Sequence, residues 1–69
     1  MISGYGKFVI FESPHESPTY GTVISVGEDI KGICIGGIIY MMDYAPSKIP
    51  NHDWYFAVNR DHIFAVSNK

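Results

Sequence analysis

Ile30-Lys31-Gly32-Ile33-Cys34-Ile35-Gly36-Gly37-Ile38-Ile39-Tyr40-Met41-Met42 is the longest apolar stretch of the chain, and three glycines interrupt it. Read as a helix, it would lose about 1 kcal/mol at each glycine relative to alanine. Its five isoleucines carry branched Cβ atoms that suit a pleated backbone better than a helical one. The stretch therefore reads as a short extended piece through Ile33, a turn at Gly36-Gly37 and a strand over 38–42. The whole composition repeats this choice: ten isoleucines and five valines stand against no leucine, and 14% of the residues are aromatic.

Four more strands follow on either side. Lys7-Phe8-Val9-Ile10-Phe11 is apolar and β-prone, and Tyr20-Gly21-Thr22-Val23-Ile24-Ser25-Val26 alternates, with Thr22, Ile24 and Val26 expected on one face and Val23 and Ser25 on the other. Between them, Pro14 and Pro18 with Ser13 and Ser17 exclude both helix and ladder pairing, so 12–19 is a loop. Gly27-Glu28-Asp29 is a turn, and Pro46 and Pro50 make 43–51 an irregular connection. His52-Asp53-Trp54-Tyr55-Phe56-Ala57-Val58 and His62-Ile63-Phe64-Ala65-Val66 are the last two strands, joined at Asn59-Arg60-Asp61. Five short strands with glycine at bends and proline only in connections describe a small, partly open β-barrel with no long helix. Residues 1–69 make one domain.

A domain this short buries only about 60% of its unfolded surface and needs help to be stable. A single cysteine excludes an internal disulfide, which leaves a tight barrel or oligomerisation as the helper. The net charge of −2, with one arginine and four scattered lysines, lacks the basic stripe that nucleic acid demands. No apolar run has the length of a membrane span. A lone thiol without a secretion signal suits the reducing cytoplasm.

Chemistry is hard to place on this chain. His15, His52, His62 and Cys34 show none of the paired short spacings of a zinc site, so neither metal nor cofactor is expected. Cys34 has no basic neighbour or helix terminus to activate it and reads as a small buried hydrophobe. The glycines of 32–37 precede no Lys-Ser/Thr pair, and no helix starts there to bind phosphate. These absences argue against an enzyme. In Trp54-Tyr55-Phe56, Trp54 or Phe56 is expected to fill the core, while the outward face is a candidate partner surface.

Four segments, in order, resemble the GroES-type co-chaperonins of the chaperonin-10 family. Lys7-Phe8-Val9-Ile10-Phe11 sits where that family has its first strand, and Thr19-Tyr20-Gly21-Thr22-Val23-Ile24-Ser25-Val26-Gly27 resembles its Gly-x-Val-x-x-Val-Gly segment. Ile35-Gly36-Gly37-Ile38-Ile39-Tyr40-Met41 is similar to a hydrophobic-Gly-Asp-x-Val pattern, with Gly37 in place of the Asp. Val58-Asn59-Arg60-Asp61-His62-Ile63-Phe64-Ala65-Val66 is similar to the terminal strand, in which an acidic residue opens a hydrophobic-Ala-hydrophobic run.

The resemblance implies a GroES-like barrel, a homo-oligomer of seven members, and a chaperonin ring as partner. It also implies that Phe8, Val9, Ile10 and Phe11, together with Phe64, Ala65 and Val66, are strands offered to neighbouring subunits. The family's long mobile loop is cut here to Glu12, Ser13, Pro14, His15, Glu16, Ser17, Pro18 and Thr19, without a hydrophobic tripeptide, and these residues become the candidate partner contact. The roof hairpin is missing as well. Such a trimmed form is what a phage would carry. The alternative reading is a small non-enzymatic binding module, such as a phage-encoded inhibitor of an unrelated host protein.

Overall fold

The computed structural model describes residues 6–42 and 44–68. They form six strands: β1 (Phe8–Glu12), β2 (Tyr20–Val26), β3 (Ile38–Met41), β4 (Ser47–Lys48), β5 (Tyr55–Asn59) and β6 (Ile63–Ser67), with one 3-10 turn at Arg60–His62. All pairings are antiparallel. The strands lie side by side in the order β4-β5-β1-β2-β3-β6, so the sheet is open, with β4 and β6 as its two edges. The all-β reading holds, while the count of five strands is corrected to six.

The extra strand, β4, falls in the stretch expected to be irregular; Asp43, which belongs to that stretch, lies outside the described residues. Ser47 pairs with Ala57 and Lys48 with Phe56. Further boundaries change: Glu12, expected in the loop, ends β1, and His62, expected to open the last strand, belongs to the 3-10 turn. The piece ending at Ile33 is not a strand, and Gly32 there takes a φ of +83°. His52, Asp53 and Trp54 stand outside β5, because Trp54 adopts a φ of +71°, a left-handed conformation that a strand cannot include.

One face of the sheet holds the core: Val9, Phe11, Val23, Ile39, Met41, Phe56, Val58 and Ile63, joined by Ile33 from the loop after β2. Phe11 and Phe56 stack, with centroids 5.5 Å apart. Among the described residues there is no second layer for this face to pack on. The sheet therefore curls over it, within extents of 26 × 24 × 20 Å. Of the two aromatics proposed for the core, Phe56 occupies it and Trp54 does not.

Two bulges set which side chains reach that core. The β1–β2 register pairs Ile10 with Ser25 and Phe11 with Val23, leaving Ile24 as the extra residue. The inserted residue shifts the alternation by one, so Val23 and Val26, three apart, both pack inward. Strict alternation had put them on opposite faces. The β3–β6 register does the same: Tyr40 pairs with Ala65 and Met41 with Ile63, and Phe64 is the extra residue. Ile63 and Val66 turn to the core, and Phe64 is extruded with 69% of its surface exposed.

Cys34 is exposed, contrary to the buried hydrophobe expected. It opens a tight turn in which the Gly37 N–H donates to the Cys34 carbonyl at 3.0 Å, with Gly36 at a φ of +91°. A turn of this kind needs a left-handed third residue, which glycine supplies, and it leaves Ile33 rather than Cys34 facing inward. Asn68, just past β6, fastens the turn. Its Nδ2 donates to the Gly32 carbonyl at 2.8 Å, and its Oδ1 accepts from the Cys34 N–H at 3.0 Å. Two ordinary hydrogen bonds contribute about 1–3 kcal/mol net. Asn68→Ala should therefore lower the urea midpoint by a corresponding amount, and Asn68→Asp, which keeps only the acceptor, should recover part of it. A midpoint unchanged in Asn68→Ala would show that the fastening carries no stability.

Candidate functional site

The shortened loop between β1 and β2 is pinned at both ends. Ser13 is fully buried, and its N–H donates to the Trp54 carbonyl at 2.9 Å. Pro18 is buried as well, and the Thr19 carbonyl accepts from the Met41 N–H at 2.8 Å. Only the tip, Pro14, His15, Glu16 and Ser17, stands free in solvent between these anchors, with Glu12 and Thr19 exposed at the flanks. The His15 N–H reaches back to Ser13 Oγ at 3.4 Å, and its ring lies 5.9 Å from that of Tyr20. Of the eight residues proposed as a partner contact, Glu12 ends β1 and the other seven form a short bridge with a four-residue exposed tip.

At the first anchor lies a cleft of about 310 Å³, lined by Glu12, Ser13, Pro14, Thr22 and Trp54. Antiparallel pairing makes the floor: Glu12 stands opposite Thr22 on β2 and opposite Tyr55 on β5. The wall is Trp54, 48% exposed and turned out of β5 by its left-handed backbone. Its carbonyl accepts from the Ser13 N–H, which ties the loop to the wall. The sequence pointed to Glu12, Ser13, Pro14 and Trp54 separately but gave no reason to join them. The polar run Asn51-His52-Asp53 was the signal that β5 starts later and leaves Trp54 in a turn.

The strands proposed as subunit contacts differ from one another. β1 lies between β2 and β5, and both of its sides are paired. A neighbour could meet it only through the exposed Phe8, since Val9, Ile10 and Phe11 are buried. Among the described residues β6 pairs on one side alone, with β3; Phe64 and Ala65 face solvent, and Val66 is half-buried.

Among the described residues, the remaining polar side chains gather no further site. His52 stacks on Tyr55 with ring planes 3° apart, and His62 is exposed in the 3-10 turn. Among the described residues, no three of His, Cys, Asp and Glu come together to hold a metal ion. No helix among them is long and apolar enough to cross a membrane. No known family model matches the chain. No curated protein matches it either.

Proposed function

We propose that this chain is a non-enzymatic, co-chaperonin-like protein that assembles through β6 and caps or modulates a chaperonin ring in the cytoplasm. The observation that carries the reading is the contrast between the two sheet edges. β4 is two residues long, contains Lys48 and is flanked by Pro46 and Pro50, the features that keep an edge from pairing with another chain. β6 is five residues long, without proline or charge, and it presents Phe64 to solvent. An edge left open beside an exposed aromatic suits pairing with a second copy.

The resemblance to the GroES-type co-chaperonins adds the architecture: a small, partly open barrel, which a sheet curled round its own core approaches, repeated head to tail. A heterologous contact of that kind closes into a ring when the rotation allows. Assembly would also offset the small core of a 69-residue chain. The polar tip 14–17 would meet the chaperonin, each contact weak and multiplied by the ring.

Light scattering behind a sizing column, over a dilution series, tests the assembly. A discrete species near seven subunits is the expected result, and Phe64→Asp should convert it to monomer with the β-sheet circular dichroism retained. A folded monomer at every concentration would remove the ring. The second step is a pull-down and turnover assay, where the assembled protein should bind a chaperonin and change its ATPase rate. The cleft beside Trp54 favours a second reading, a stand-alone binding module acting on some other protein, and this is the reading that a persistent monomer would support.

A further inference from the structure

We infer that the cleft between Glu12 and Trp54 is a recognition pocket for an arginine side chain presented by a partner polypeptide. Its volume of about 310 Å³ lies at the lower end of the range for small-molecule sites, about 300–1,000 Å³. A single side chain fits that space.

The lining matches a planar cation. Trp54 offers the half-exposed indole, the best aromatic face for a cation. Glu12 offers a carboxylate that forms no ion pair among the described residues, and a guanidinium can bind a carboxylate through two parallel hydrogen bonds. Pro14 and Thr22 supply apolar contact for the methylene stem.

Charge favours the same occupant. Glu12 is the one charged residue among the five that line the cleft, so the lining carries a net negative charge. The backbone also holds Trp54 where it is: a bulky residue at a φ of +71° is uncommon and strained. The 2.9 Å bond from the Ser13 N–H to the Trp54 carbonyl keeps the wall against the loop. The inference goes beyond the co-chaperonin reading and does not depend on it, because a monomer and a ring would expose the same cleft.

Trp54 is the only tryptophan, so its fluorescence and its single indole Nε1–H resonance report on this site alone. The probes are three short capped peptides, identical except for a central arginine, lysine or citrulline. The arginine peptide should shift both signals saturably at about millimolar concentration. The citrulline peptide, which keeps the shape without the charge, should bind about tenfold more weakly, and the lysine peptide should fall between them. Glu12→Gln should weaken the arginine peptide by a similar factor, about tenfold. No saturable shift with arginine, or equal binding of arginine and citrulline, would overturn the inference. So would a Glu12→Gln protein that binds like the parent. Should Glu12→Gln fail to fold by circular dichroism, the arginine and citrulline arms on the unchanged protein still decide it.

Discussion

Gly21→Ala is expected to unfold most of the protein at 37 °C, although it adds one methyl group. A Cβ at Gly21 would overlap Phe11 Cδ2 outright and lie 2.8 Å from Phe11 Cε2 and 2.7 Å from the Glu12 carbonyl oxygen. The ring of Phe11 therefore lies over the glycine, in the space that any other residue on β2 would fill. Overpacking of a well-filled core costs about 1–3 kcal/mol and sometimes more. Here one colliding group is backbone, in the β1–β2 ladder at Glu12↔Thr22, and cannot turn aside as a flexible side chain would.

A domain of this length has a total stability of about 3–10 kcal/mol, so a loss of about 3 kcal/mol or more is a large share of it. The check is the thermal or urea transition followed by circular dichroism. Phe11→Val in the same chain should recover only part of the loss, since it removes the ring atoms but leaves the Glu12 carbonyl. The two substitutions should therefore be non-additive. A Gly21→Ala protein with the parent's midpoint would mean that β1 and β2 are not packed this closely.

Strand positions were legible because their residues speak locally: branched and aromatic side chains bounded by glycine and proline mark β1, β2, β3, β5 and β6. What escaped depends on contacts made elsewhere. β4 is Ser47 and Lys48, with nothing apolar to announce it, and it exists because Ala57 and Phe56 across the ladder supply the partners. The faces of β2 and β6 were obscured by their bulges, and a bulge is a property of two strands in register. Cys34 was placed in the core by its apolar surroundings, yet the turn at Gly36 and the side chain of Asn68, 34 residues away, decide where it points. The cleft was hidden for the same reason. Its walls come from 12–14, Thr22 and Trp54, and only the pairing of β1 with both β2 and β5 brings them together.

Phe11→Ala and Phe64→Ala should separate folding from assembly, and they make the sharpest pair of substitutions on this chain. Both phenylalanines belong to five-residue strands of similar composition, yet Phe11 is 0% exposed and Phe64 is 69% exposed. Truncating a buried phenylalanine costs about 3–5 kcal/mol through lost burial and the cavity left behind. At Phe11 the stacking on Phe56 adds about 0.5–1.5 kcal/mol. The sum reaches the stability expected of the whole domain, so Phe11→Ala should be largely unfolded in buffer.

Phe64 loses almost nothing intramolecular, because the β3–β6 bulge ejects it from the ladder and the core alike. At concentrations low enough to keep the chain monomeric, Phe64→Ala should stay within about 0.5 kcal/mol of the parent, as surface substitutions do. Its effect should appear on concentration instead. The parent's melting temperature should rise with protein concentration, as it does whenever association stabilises the folded form, and in Phe64→Ala that dependence should flatten. A dilute Phe64→Ala protein as unstable as Phe11→Ala would make Phe64 a structural residue of the single chain. β6 would then not be the assembling edge, because assembly through it requires the exposed ring to contribute nothing until a second copy covers it.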